Sequence, residues 1–228
     1  MKNINIIAEL ACIHEGDKKY IIDLAKECKK NGANSIKFQC FDPEEVVDKN
    51  HPDYKYLKSI SFNRAEWKSI IDKVKKIGLN IYIDISGEFS ISIVEENKKK
   101  ISGIKLNSSE TNNLEIIEKV KKFDCKILLA CSGLTIVEII TISELLNKDN
   151  ITLMYGYQSF PKNFELKGGP PLKPFMPEDL EFWRLDNLRN TFPDFEIGLS
   201  DHFQGSDQLA IDLPVYATFM GVTTFEKH

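Results

Sequence analysis

Two hydrophobic periods alternate along the chain. Short runs rich in Ile, Leu and Val are separated by longer stretches in which apolar residues recur every three or four positions. The first short run is Asn5–Glu9. A helical stretch over Lys18–Lys30 follows and stops at Asn31-Gly32, a common helix exit. The next short runs are Ser35–Gln39, 79–85, 101–106, 126–130, 151–155, 196–199 and 222–227. Between them the pattern predicts helices over 64–77 (ended by Gly78), a lysine-rich 90–100, 114–123, 136–147, 177–191 and 208–220. Eight strand–helix units of this regularity predict an α/β fold, a parallel (β/α)8 TIM barrel. The competing architecture is an open, doubly wound sheet. That fold usually places a glycine-rich phosphate turn after its first strand, and residues 10–16 do not carry one.

The chain has 228 residues, 42% of them hydrophobic, enough for one substantial core, so residues 1–228 are expected to form a single barrel domain. The last residue, His228, falls at the tip of the eighth strand, where a complete barrel would continue into a helix; the domain is therefore expected to be cut after strand eight. The prolines and glycines of 168–177 predict a long loop after the sixth strand, at the mouth of such a barrel. A net charge of −4 without a basic block argues against a nucleic-acid partner. Lys98-Lys99-Lys100 and Lys121-Lys122 fall near helix ends and read as solvated surface. Five cysteines at no metal or redox spacing suggest reduced thiols and a cytoplasmic location. The apolar start of the chain is too short for a signal peptide and is interrupted by Glu9, and no segment is long enough to span a membrane.

Active sites of β/α barrels lie at the carboxyl ends of the strands, so the polar residues there carry the functional reading. Strand one ends in Glu9, with His14 in the loop beyond. Strand two offers Lys37 and Gln39 on one face, and strand three Asp84. Strand four offers Lys105, then Asn107 and Ser109 at the same alternation, followed by Glu110. Strand five gives Cys131 and Ser132, strand six Tyr157 and Gln158. Strand seven gives Ser200, Asp201 and His202, and strand eight Glu226 and His228. A charge inside an apolar strand is costly without partners. Any one of Lys37, Lys105 and Glu226 could be half of a structural ion pair, but their convergence on one rim suggests an anionic substrate. The two histidines suggest a divalent transition metal beside it. His14, in His14-Glu15-Gly16, reads as a residue that fixes its loop, and His51, before Pro52, as exposed.

The segments Ile6-Ile7-Ala8-Glu9, His14-Glu15-Gly16, Lys37-Phe38-Gln39, Lys105 through Asn113, Ser132-Gly133, Gly198-Leu199-Ser200-Asp201-His202 and Glu226-Lys227-His228 resemble, in order and over essentially the whole chain, the N-acetylneuraminate (sialic acid) synthase family. The resemblance implies condensation of phosphoenolpyruvate with N-acetylmannosamine or a related N-acyl amino sugar, with release of phosphate and with Mn2+ or Mg2+ as cofactor. It implies His202 and His228 as metal ligands. Lys37, Lys105, Ser108 and Ser200 would hold phosphoenolpyruvate, and Glu9, Gln39 and Glu110 would face the sugar. Ser132, Gln158 and Glu226 would complete the substrate-binding set, with Glu9, Lys37, Lys105 and Glu110 as the catalytic residues. The family also implies a homodimer in the full-length protein and a small carboxyl-terminal antifreeze-like domain, which is not among these residues.

The sequence departs from the family at several positions. Asp84-Ile85-Ser86 replaces the usual Ser/Thr-Pro after strand three, Cys131 replaces a serine, and Gln158 and Phe160 replace asparagine and tyrosine. Asp84 would be unfavourable near a phosphate unless a lysine or metal compensates it. These changes suggest a sugar other than N-acetylmannosamine. Two further readings compete: a non-catalytic barrel that binds a phosphorylated metabolite, and an aldolase that forms a Schiff base at Lys105, which would require a lysine with a lowered pKa.

Overall fold

The computed structural model describes residues 4–146, 148–156, 181–203 and 205–228. Eight parallel strands close into a barrel in chain order: β1 (Asn5–Glu9), β2 (Ser35–Gln39), β3 (Asn80–Ile85), β4 (Ile101–Leu106), β5 (Lys126–Ala130), β6 (Ile151–Gly156), β7 (Glu196–Ser200) and β8 (Thr224–Lys227). The helices are α1 (Lys18–Lys30), α2 (Pro43–Val46), α3 (Tyr54–Ile60), α4 (Arg64–Ile77), α5 (Glu88–Glu96), α6 (Leu114–Val120), α7 (Ile136–Leu145), α8 (Phe182–Thr191) and α9 (Gln208–Phe219). The closed order rules out the open-sheet alternative.

Strand parity divides the buried residues into two cores. Ile36 and Phe38, Ile81, Ile83 and Ile85, Ile104 and Leu106, Ile127 and Leu129, and Leu199 face outward, in one apolar cluster with Ile21, Trp67, Ile70, Val74 and Ile117 of the helices. The opposite parity points into the barrel. There Ile7, Tyr82, Leu128 and Met154 form a separate apolar plug. It is roofed by the polar side chains at the strand tips, so the barrel is a packed core with a polar top rather than a pore.

Local chemistry explains the element ends. Asn63 and Glu66 form a capping box at the start of α4, and Gly78 ends that helix in the left-handed conformation, φ 87°. The helix expected over 90–100 stops at Glu96, because Asn97 turns its side-chain amide back onto the Ile93 carbonyl at 2.9 Å. The lysine run then lies in the following turn and strand approach. α6 and α7 are likewise shorter than their patterns at the carboxyl end, and β8 begins at Thr224. α2 and α3, inserted between β2 and α4, were not expected; each is too short to establish a helical period. Asp42 capping Glu44, with Pro43 in the first turn, is the sequence signal that marks α2. Among the described residues seven helices follow β1 to β7 along the barrel wall (α1 and α4 to α9), and outside β1 next to β8 Ile4 and Ile6 remain 42% and 38% exposed.

Inside the plug, Gly103 lies beside the ring of Tyr82. A Cβ on Gly103 would meet that ring and come within 2.7 Å of the Lys126 carbonyl oxygen, which the sheet cannot move. Gly103→Ala should therefore destabilise the barrel by about 1–3 kcal/mol, measured by chemical denaturation; an unchanged midpoint would show that the plug has room to spare.

Candidate active site

The strand tips carry a buried ionic cluster built around Lys37. Its ammonium is ion-paired with Glu9, lies 2.7 Å from Asp84 Oδ2 and 3.4 Å from Glu226 Oε2. Lys105 approaches Glu226 Oε1 at 2.5 Å, and Ser200 Oγ donates to the same oxygen at 2.8 Å. Asn107 Nδ2 donates to Asp84 Oδ1 at 2.9 Å, and the Ala11 amide donates to Glu9 Oε1 at 2.6 Å. Lys37 and Glu226 are each 1% exposed, Asp84 4% and Lys105 7%. Three carboxylates face two ammonium groups, so the cluster carries an excess negative charge. Register explains the assembly: Asp84 is the sheet partner of both Gln39 and Lys105, and Ser200 is the partner of Glu226.

Burial pushes the Glu226 carboxyl up, but Lys37, Lys105 and the bonds from Lys105 and Ser200 outweigh it and hold the group at about 2. For Lys105, burial works against the charged form, yet Glu226 and Asp84 raise its pKa above the ordinary lysine value. Both groups are thus held charged.

Beside the cluster, the rings of His202 and His228 stack with centroids 4.1 Å apart. His228 Nδ1 lies 2.8 Å from the Asp201 carbonyl oxygen. A carbonyl only accepts, so Nδ1 carries the proton and Nε2 keeps its lone pair. Burial of the ring, then repulsion from His202, lowers the His228 pKa to about 4. The neutral, ligating form therefore prevails at neutral pH. Asp201 is itself fixed by Lys227, whose ammonium lies 2.8 and 2.7 Å from its two oxygens. Among the described residues no group of three or more His, Cys, Asp or Glu side chains is placed to hold a metal. The two imidazoles fit a divalent ion that takes its other ligands from water and substrate oxygens.

The structure brings Glu9, Lys37, Lys105, Ser200 and Glu226 into one contact network and His202 and His228 into one pair. Gln39 is half-buried at the edge of the network, with Cys12 Sγ 3.9 Å from its Oε1. Three expected residues are not bonded to that network. Ser132 is exposed and donates to the Gly156 carbonyl at 2.7 Å. Ser108 and Glu110 are half-buried in a 3-10 turn, Ser108–Glu110. That turn starts immediately after Asn107, so strand alternation does not extend to Ser109, which is exposed. Gln158, with Tyr157 and Phe160, lies outside the described residues. His14 does fix its loop: buried, it accepts from the Gly16 amide at 3.1 Å and packs on Phe62. His51 is exposed. All five cysteines are free thiols, and burial pushes Cys131 up to about 12, which leaves it unreactive. Asn107 and Lys227 are the partners that sequence reasoning left without a role.

A family model described as the NeuB family matches residues 21–228. The chain belongs to the NeuB family. It is 28% identical over 227 residues to an uncharacterised protein of Methanocaldococcus jannaschii, covering 98% of this chain and 61% of that protein. It is 25% identical over 243 residues to the N-acetylneuraminate-9-phosphate synthase of Mus musculus, covering 98% of this chain and 61% of the relative. The chain thus spans about three fifths of the length of these relatives. A solved structure of N-acetylneuraminic acid (sialic acid) synthetase from Leptospira borgpetersenii, in complex with citrate, superposes with a TM-score of 0.82 at 22% identity, over 100% of this chain and 73% of that one. Several of the relatives are named as synthases, and the fold is shared with the Leptospira synthetase structure. No helix among the described residues is long and apolar enough to cross a membrane.

Two predictions come from the cluster. Lys37→Met leaves buried carboxylates facing one another and should cost about 3–5 kcal/mol at neutral pH; denaturant unfolding reads it, and a loss under about 1 kcal/mol would show that Lys37 is not the keystone. The Glu226 carboxyl has a folded value below its ordinary 4.5. Its stabilising effect is complete above that ordinary value and is lost as pH falls from there toward about 2. Over that window the chain should lose on the order of 3 kcal/mol through this group. Glu226→Gln should flatten the acid limb of the stability–pH curve, and an unchanged limb would assign it elsewhere.

Proposed function

We propose that this barrel carries the condensing site of a phosphoenolpyruvate-dependent synthase that joins the three-carbon unit to an N-acylated amino sugar, giving a nonulosonic acid and phosphate. The observation behind this reading is the pairing of a buried Lys37–Lys105–carboxylate cluster with two stacked histidines at one barrel mouth. Membership of the NeuB family supports it.

In this reading Lys105 and Lys37 offset the charge of the phosphoenolpyruvate phosphate and carboxylate from fixed positions, without solvent reorganisation. Ser200 and Asn107 hold the carboxylates that orient those lysines. The methylene carbon of phosphoenolpyruvate bonds to the aldehyde carbon of the open-chain sugar. Water adds at the enol carbon with Glu9 as the proton acceptor, and phosphate leaves from the tetrahedral carbon. His202 and His228 would hold a divalent ion, Mn2+ or Mg2+, whose chemistry would be to polarise the aldehyde.

The raised pKa of Lys105 argues against the Schiff-base alternative, because imine formation needs the free amine. The ion pair between Lys37 and Asp84 is the one feature favouring a barrel that only binds, since it occupies a cation that substrate would need.

Phosphate release from phosphoenolpyruvate by the purified chain with Mn2+ should require an N-acylated amino sugar, and should fall at least about a hundredfold in His202→Ala or under a chelator. Phosphoenolpyruvate binding without release, for every sugar offered, would leave the binding-only barrel as the correct reading.

A further inference from the structure

The β7–β8 ladder runs as far as Ser200 opposite Glu226, and both His202 and His228 lie beyond that pair. Bonds through Asp201 and Lys227 join the two strand tips there. The Lys227 ammonium lies 2.8 Å from Asp201 Oδ1 and 2.7 Å from Oδ2, so it spans both oxygens of a residue that is 1% exposed. Asp201 Oδ1 also accepts from the Phe203 amide at 3.3 Å, which closes a turn around His202. The Asp201 carbonyl oxygen holds His228 Nδ1 at 2.8 Å. One residue thus fixes the backbone beside one histidine and the ring of the other.

Strand parity puts the ion pair behind the histidines. Ser200 and Glu226 meet inside the barrel, so Asp201 and Lys227 belong to the opposite face. Lys227 lines a cleft of about 280 Å³ with Ile6, Val215 and Phe225, on the outer side of β1 and β8. Its ammonium therefore serves Asp201 from outside the wall, unlike Lys37 and Lys105, which serve the mouth. Imidazole ligands commonly have their second ring nitrogen held by a carbonyl or carboxylate, which sets the tautomer and leaves the other nitrogen free to ligate. Here the carbonyl is that of Asp201, and Lys227 holds the residue that carries it. Without Lys227, a buried carboxylate would be left with one amide donor among the described residues. It would turn toward water, carrying the carbonyl and the start of the His202 turn with it.

We infer that Lys227 and Asp201 are positioning residues for the histidine pair: Lys227 pins Asp201, and Asp201 sets the His228 ring through its carbonyl and the His202 turn through its carboxylate. The inference rests on the metal site of the proposed synthase reading.

The test titrates Mn2+ alone into the purified chain, with the paramagnetic resonance signal of free Mn2+ giving the dissociation constant. Lys227→Met should weaken binding about ten- to a hundredfold, the scale of losing a partner behind a metal ligand. Lys227→Arg, whose guanidinium also spans two carboxylate oxygens, should stay within about threefold of the unaltered chain. Asp201→Asn keeps an oxygen for the Phe203 amide but loses the ionic bond, and should weaken binding about tenfold; equal in size to the original, it carries the test if Lys227→Met does not fold. Nitrogen-15 NMR of the metal-free, histidine-labelled chain gives a readout that a merely stabilising ion pair would not move. His228 should be the Nδ1–H tautomer in the unaltered chain and a mixture of tautomers in Lys227→Met and Asp201→Asn. Mn2+ affinity unchanged in the folded variants, or lost equally in Lys227→Arg, overturns the inference and leaves the metal site standing. An unaltered chain that binds no Mn2+ overturns the metal site and this inference together.

Discussion

A lysine ammonium inside a barrel is tolerable only if its lost hydration is replaced, and Lys37 has its replacement from three strands at once. Glu9 comes from β1, Asp84 from β3 and Glu226 from β8. These contacts tie the two strands that close the barrel, β1 and β8, to the middle of the β2–β4 wall. The same cation that satisfies the carboxylates also requires the barrel to close, because an open sheet would leave Glu226 far from Lys37. Structural and chemical demands meet in one residue.

The cluster's excess negative charge governs what the mouth can accept. Glu226 is held ionised by two lysines and a serine hydroxyl, so it has no proton to give and little tendency to take one, and it serves as a fixed acceptor that orients Lys105 and Ser200. Lys105 is held protonated, so it serves as a counter-charge rather than as a nucleophile. An anionic substrate must either draw a lysine from its carboxylate partners or bring a cation with it. The stacked histidine pair lies beside the cluster, where such a cation would help most. The divergence at Asp84 is compensated structurally by Lys37 and Asn107.

Much of this was legible in the residues. Inward parity alone places Lys37, Asp84, Lys105 and Glu226 inside the barrel, and a buried charge at each of four strand tips requires mutual pairing. Beyond the strands local backbone geometry intervenes. Ser108 and Glu110 lie in a 3-10 turn that replaces the strand after Asn107, and a period of two is meaningless beyond the last ladder bond. Ser132 turned instead to the Gly156 carbonyl, a partner from the next strand that no local pattern announces. The short α2 and α3 escaped because one or two turns give an apolar stripe too few repeats to stand out from a loop.

The sequence by itself determined the eight-unit barrel, the parity of its strands and the set of charges at its rim, because hydrophobic periodicity is a local property of consecutive residues. Tertiary structure alone decided which carboxylate meets which lysine, that the two histidines stack with His228 neutral, and that a cavity opens beside Asp84. Those outcomes depend on strand register and on insertions folding back over the rim. They join residues as far apart as Lys105 and Glu226, and electrostatic pairing at a few ångströms is set by that closure and not by any spacing along the chain.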